Sequence, residues 1–390
     1  MFNEKIVDDR LREYAPVPYL PVIKVMGLGG GGSNAVDRMI DFGLTGVEFI
    51  VANTDHQALA RSEAPVKLQL GPKLTRGLGA GGDPRVGEQA AQESREEIAR
   101  TLEGADMVFL TAGMGGGTGT GSIPVAAEVA TELGIATIAV VTRPFAFEVG
   151  GRQRNAAEGL HKLQPHVNTL ITIPNERLLQ AVSEKATLSE AFHLADDVLR
   201  QAVQSITELI MEPGVINVDF AHIQRLMEMG GGALMSIGQG SGEEKALKAV
   251  KQALYHPLLE DISLINASGL IVNFAAGMDL TLADIGQALN YLQEQIPPDA
   301  ELIFGTTQNH HLQGQVQVNL IVTGLGATTF EDAFSSISRK RRSAAPTAVR
   351  RDQTVEEEAE EQVSQPLQMG RDPLDVPAFM RRRAYSSFGR

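Results

Sequence analysis

The chain has 390 residues, 43% of them hydrophobic and 21% charged, with a formal net charge of −14 and neither cysteine nor tryptophan. That length accommodates two ordinary cores and a tail, the missing cysteines exclude disulfides and thiolate metal sites and suit a reducing cytoplasm, and the acidic balance argues against a nucleic-acid groove, which needs basic stripes and stacking rings. The opening stretch MFNEKIVDDRLREYAPVPYL is too acidic and too poor in apolar residues for a signal peptide, and no later run reaches membrane-spanning length, so residues 1–21 read as an N-terminal arm.

Ile23-Lys24-Val25-Met26 predicts a strand, GLGGGGSNAV at 27–36 a turn, and residues 34–40 a helix. Gly27, Gly29 and Gly32 satisfy G-x-G-x-x-G, which is weak in a window so rich in glycine, yet a strand before and a helix after are the context in which such a turn holds a pyrophosphate. The next strand, 47–51, runs to Asn53-Thr54-Asp55, where a dehydrogenase would hold its ribose. A nicotinamide-linked oxidoreductase is therefore an open alternative at this point.

LGAGGDP at 78–84 follows as a second ligand-facing turn, then a helix over 87–102 and a strand over 106–110. The strand leads into TAGMGGGTGTGS at 111–122. Bare glycine N–H groups and short threonine hydroxyls suit a phosphate, and a helix opening at 121–123 would aim its N-terminus at the anion. The Walker pattern needs a lysine that is absent here. Strands at 135–141 and 169–173 flank RPFAFEVGGR at 143–152, giving four loops at one edge of a mostly parallel sheet, the layout of a nucleotide crevice.

After Pro174-Asn175, Phe192, Ala195, Leu199, Ala202, Ile206 and Leu209 recur at three- and four-residue steps, predicting one long helix that Pro213-Gly214 ends. A second α/β domain follows, with helices near 243–255 and 281–295 and strands near 263–274, 301–306 and 315–323. Val316, Val318, Leu320 and Val322 alternate there as one buried face should. From about residue 328, blocks of opposite charge without apolar spacing read as disordered linker. PLDVPAFMRRR at 373–383 restores apolar residues and reads as a docking peptide on that tether.

These residues resemble the FtsZ family, the bacterial homologues of tubulin. GGGTGTG carries the resemblance most specifically. It extends through GGGGSNAV, VANTDHQAL, LTRGLGAGGDP, VVTRPFAFE, TIPNERLL, AFHLADDVLRQ, PGVINVDFA and GALMSIG, and LDVPAFMRR is similar to the family's C-terminal peptide. The resemblance implies an α/β fold: a tubulin/FtsZ-like GTPase domain with a mostly parallel sheet over 22–187, a long central helix over 188–211 and a second α/β domain over 212–327. Residues 328–371 would be linker and 372–390 a partner-binding peptide.

The same resemblance implies a GTP-binding protein that polymerises head to tail into division-ring filaments on the inner face of the cytoplasmic membrane. Membrane-tethering and division proteins would bind through residues 373–383. GTP and GDP are the implied nucleotides, with Mg2+ expected because phosphoryl transfer uses it to neutralise phosphate charge. Gly30, Gly31, Gly32, Ser33 and Asn34 match the first phosphate loop, Gly79, Ala80 and Gly81 the loop that senses the γ-phosphate, and Gly117, Thr118 and Gly119 the phosphate cradle. Glu148 and Arg152 match the sugar contacts, Asn175 and Asp196 the base contacts, and Phe192 the ring that lies against guanine.

Two departures stand out. Val149-Gly150-Gly151 occupies the place of a usually basic stretch. In NVDFAH, 217–222, the family inserts a loop with two aspartates into the neighbouring subunit's nucleotide site to orient the attacking water. Asp219 is the first, and His222 stands at the second position. Asn217, Asp219 and His222 are thus the catalytic candidates, with hydrolysis expected to be weakened. The alternative is a hydrolysis-deficient paralogue that copolymerises with another FtsZ copy. No histidine pair has metal-ligand spacing such as H-E-x-x-H.

Overall fold

The computed structural model describes residues 20–148, 151–178, 187–211, 216, 218–228, 232–256, 264, 267–309 and 311–325. Most of the expected arm, Asn217, Val149-Gly150, the linker and the terminal peptide lie outside them.

The first half alternates strand and helix. β1 (Ile23–Leu28) leads to α1 (Gly29–Asp41), β2 (Glu48–Asn53) to α2 (His56–Arg61), and β3 (Val66–Gln69) to α3 (Pro72–Thr75), α4 (Pro84–Glu93) and α5 (Arg95–Leu102). β4 (Met107–Gly113) leads to α6 (Thr118–Glu132), β5 (Ala136–Arg143) to α7 (Gly151–Leu163), and β6 (Thr169–Pro174) to α8 (Asn175–Leu178). Then come α9 (Leu188–Met211), α10 (Phe220–Glu228), β7 (Gly232–Ser241), α11 (Lys245–Leu254), β8 (Gly269–Ala276), α12 (Leu282–Gln293), β9 (Glu301–Gln308) and β10 (Gln315–Leu325).

All ten strands belong to one sheet, ordered β3-β2-β1-β4-β5-β6-β7-β10-β8-β9. Strands β3 through β7 pair in parallel, β10 runs antiparallel to both β7 and β8, and β9 is parallel to β8. The second set of strands extends the first sheet rather than standing apart: Leu170 and Ile171 of β6 lie opposite Gly232 and Ala233 of β7.

α9 crosses beneath both sets. Its Ala195, Leu199, Ala202, Ile206 and Leu209 share one core with Val25, Phe109 and Ile171 from the first set and Ile271, Ile303 and Ile321 from the second. Each fully buried isoleucine or leucine contributes about 1.5–3 kcal/mol, so the apolar stripe read from the sequence fixes α9 against both halves. The expected alternation in β10 is present, with Val316, Val318, Leu320 and Val322 in a second core under α11 and α12. The other face of β10 is covered too, since Ile321 belongs to the α9 core.

Three expectations about elements change. The predicted helix over 87–102 is two helices, broken at Ser94, whose Oγ accepts from Gly71 N at 3.0 Å and donates to Gln69 O at 3.4 Å. Helix α6 opens at Thr118 instead of at 121–123, and α1 opens at Gly29 instead of Asn34. The sequence reading gives no element for β3, β7, α2, α3, α7, α8 or α10.

Candidate functional site

Two glycine turns stand side by side at the C-terminal ends of β1 and β4. Each opens a helix, α1 after Leu28 and α6 after Gly117, and neither helix has a side-chain cap. Their first N–H groups therefore point outward, the arrangement that attracts an anion. A Cβ built on Gly30 or Gly116 would meet nothing within 4 Å, so these two positions face the open cleft. A Cβ on Gly117 would lie 2.9 Å from both Ala80 Cβ and Asp83 N, one on Gly119 3.0 Å from Leu28 O, and one on Gly32 2.3 Å from Thr111 O. The missing side chains at 32, 117 and 119 thus serve close packing, and Gly116 is the position that sequence reasoning did not single out. Ser33 Oγ donates to Gly29 O at 2.8 Å, and the hydroxyls of Thr118 and Thr54 are 2.6 Å apart, tying α6 to the end of β2.

The 78–83 turn lies against this second glycine turn. Gly79, Gly81 and Gly82 have φ of 87°, 60° and 80°, the left-handed region that glycine enters without strain. Gly79 N donates to Thr54 O at 3.2 Å and Asp83 N to Ala80 O at 3.1 Å. Asp83 caps α4, accepting from the Arg85 side chain and backbone, which lower its pKa. Asp55, which an oxidoreductase would use on a ribose, instead caps α2, accepting from Gln57 N at 2.8 Å and Ala58 N at 3.3 Å.

The opposite end of the cleft is aromatic and acidic. Phe145 is buried and stacks on Phe147 at 4.9 Å, while Phe192 of α9 meets Phe145 edge-on at 5.3 Å. Glu148 accepts from Phe145 N at 2.9 Å and pairs with the half-exposed Arg152. Asn175 is buried, and its Oδ1 has no hydrogen-bond partner among the described residues. Burial pushes the Asp196 carboxyl up to about 6, and Arg38, at 3.5 Å, opposes that rise. A buried carboxylate, an unpaired amide oxygen and a phenylalanine face are what a purine with N–H donors along one edge would meet.

Contacts chain these pieces together. A Cβ on Gly29 would lie 2.6 Å from Gly119 N, and one on Gly115 2.9 Å from Arg152 O. With Gly117 against Ala80, Phe192 against Phe145 and Arg38 against Asp196, most of the nucleotide candidates lie on neighbouring segments around the C-terminal ends of the parallel strands.

Asp219 and His222 do not join them. α9 begins at the cleft with Phe192 and Asp196, and its last residue, Met211, lies 3.3 Å from the Cβ position of Gly46, just before β2, at the strands' N-terminal edge. Fifteen helical residues from Asp196 to Met211 span about 22 Å. Val218 and Ile216 then pack with Leu209 around Gly305, and Thr169 Oγ1, at the start of β6, donates to Met227 O at 2.8 Å. Asp219 and His222 are exposed there, in the first turn of α10. Asp219 caps that helix, with Oδ1 accepting from Ala221 N at 3.2 Å and its carbonyl from His222 N at 3.0 Å.

Residues 22–183 match the profile of the Tubulin/FtsZ family, GTPase domain, and residues 231–326 that of the FtsZ family, C-terminal domain. Among solved structures, an FtsZ dimer from M. jannaschii is 43% identical over 82% of this chain and 92% of its own, with a TM-score of 0.77. CetZ1 from Haloferax volcanii, a GDP-bound monomer, is 16% identical over 82% of this chain and 99% of its own, with a TM-score of 0.70. CetZ2 from the same organism, a GTPγS-bound protofilament, is 19% identical with a TM-score of 0.68, over 82% of this chain and 99% of its own. The two CetZ likenesses concern fold alone.

Proposed function

The chain belongs to the FtsZ family of filament-forming cell division GTPases, and on that premise we propose that GTP held in the cleft of one copy is hydrolysed when the Asp219 loop of the next copy reaches it. The observation that carries this reading is the separation of the candidates by α9: phosphate and base groups at one end, Asp219 and His222 at the other. A single chain does not close that gap, whereas head-to-tail stacking would bring one end onto the other.

Within the cleft, the N-termini of α1 and α6 would hold the phosphates, the turn at 79–82 the terminal one, and Asn175, Asp196 and Phe192 the guanine. Magnesium would ride on the nucleotide. Such an ion would keep phosphate and water ligands. Catalysis then asks the protein to hold water in line with the γ-phosphate. Asp219 would do so as a carboxylate acceptor. Neutral imidazole at His222 offers one acceptor of different reach, and a protonated ring offers none, so we infer weakened turnover.

The filament is proposed to act in the cytoplasm, on the inner face of the membrane at the division site. Among the described residues no helix is long and apolar enough to cross a membrane; attachment would run through other proteins at residues 373–383. Deleting the chain after Gly370 should spare assembly in solution and abolish recruitment to the septum; normal localisation of the truncated protein would refute this.

Phosphate release measured at matched polymer mass tests the catalytic reading. Losing one positioning group typically costs about ten- to a thousandfold, so His222→Asp should raise turnover by at least about tenfold and shorten filament lifetime. Equal rates would show that His222 does not limit hydrolysis. Wild-type filaments with no turnover at any concentration would favour the copolymerising paralogue.

A further inference from the structure

Helix α7 begins with two side-chain amides that reach back to the cleft loops. Gln153 Nε2 donates to Pro144 O at 2.9 Å and Phe145 O at 3.0 Å, holding the aromatic turn. Asn155 Nδ2 donates to Gly115 O at 3.4 Å and Gly82 O at 3.5 Å. Those two carbonyls belong to different loops, the glycine turn that opens α6 and the turn at 79–82.

We propose that Asn155 is a positioning residue that latches the 79–82 turn to the phosphate cradle, so that the two loops close as a unit over a terminal phosphate. This rests on the guanine-nucleotide reading above. Among the described residues, no other side-chain hydrogen bond to residues 79–82 is recorded; that turn is otherwise held by backbone bonds at its ends, Gly79 N to Thr54 O and Asp83 N to Ala80 O. A carboxamide –NH2 has two hydrogens and serves two acceptors at once, which neither a hydroxyl nor a carboxylate does. Both bonds are long for N–H···O and therefore weak in this state; on this reading they shorten when a terminal phosphate draws the two loops together.

The surroundings leave room for that movement. Asn155 and Gly82 border a cavity of about 590 Å³, whose walls include Arg85, Arg154, Glu158 and Lys162. The amide is only half-buried and is not part of a packed core. A Cβ on Gly81 or Gly82 would meet nothing within 4 Å, so the turn itself has free space. Asn155 holds the turn without immobilising it, and its effect should fall on the nucleotide whose third phosphate the turn covers.

The test uses the full chain below its assembly concentration, with GTPγS and GDP as separate probes. Asn155→Asp, nearly isosteric, replaces both donors with oxygens facing two carbonyls; Asn155→Ala removes the contact. Both should melt with the wild type. The ratio of GTPγS to GDP affinity should fall about five- to tenfold in each, the worth of two modest hydrogen bonds, with GDP affinity moving less than about twofold. Equal losses for the two nucleotides, or no loss in either variant, would overturn the latch. A wild-type chain binding neither nucleotide would instead sink the functional reading and the latch with it, so the two failures are distinguishable.

Discussion

If Asp196 holds the guanine as proposed, that one side chain would couple nucleotide binding to pH. Burial raises its carboxyl to about 6 despite Arg38, so the folded chain holds this proton to a higher pH than the unfolded chain does. The sign follows from linkage: folding gains stability from this group at low pH and loses it as pH rises from the unfolded value of about 4 through 6. On the proposed reading guanine would reverse the preference, because its adjacent N–H groups are best met by an ionised carboxylate that accepts at both oxygens. GDP affinity should therefore rise by up to about tenfold per pH unit below 6 and level off above it, as one released proton requires. Asp196→Asn should bind more weakly with a flattened profile. Calorimetric titration across that range checks this, and a flat wild-type profile would contradict it. Asp196 was singled out in the sequence through its motif. Asn155 was not, because its acceptors lie 40 and 73 residues away and nothing local marks them.

Packing decides the character of the glycine-rich elements more than propensity does. The sequence reading opens a helix only at 121–123, yet Thr118 to Thr120 are already helical although glycine in a helix costs about 1 kcal/mol relative to alanine. A Cβ on Gly121 would lie 2.0 Å from Pro84 O, and one on Gly87 2.3 Å from Gly117 O, so α4 and α6 meet backbone to backbone. Gly121→Ala should accordingly destabilise the protein by about 1–3 kcal/mol through overpacking, read as a lower Tm. An unchanged or raised Tm, which helix propensity alone would give, would contradict this packing account. The same physics hid β7: Gly238 and Gly240 weaken its strand signal, but they admit α11, whose Ala249 and Lys245 carbonyls lie 2.0 Å from the two Cβ positions. Long apolar runs such as β4, β5 and α9 were readable because their burial is written in the periodicity of their own residues.

At the scale of the whole molecule, α9 joins the halves and separates Asp219 from the candidate nucleotide residues, and on the proposed reading two copies complete one site. Mixing two variants tests it. Gly116→Leu fills the open face of the cradle and should exclude GTP while leaving the fold and the Asp219 loop intact. Asp219→Asn should bind GTP normally and keep the α10 cap, since asparagine caps as well as aspartate, but lacks the carboxylate. Each protein alone should release phosphate at about a tenth of the wild-type rate or less. Mixed in equal amounts, they should recover turnover well above the sum of their separate rates, because the Asp219 loop of one would meet GTP held by the other. A mixture no faster than that sum, or Asp219→Asn alone at the wild-type rate, would contradict hydrolysis across the junction of two copies.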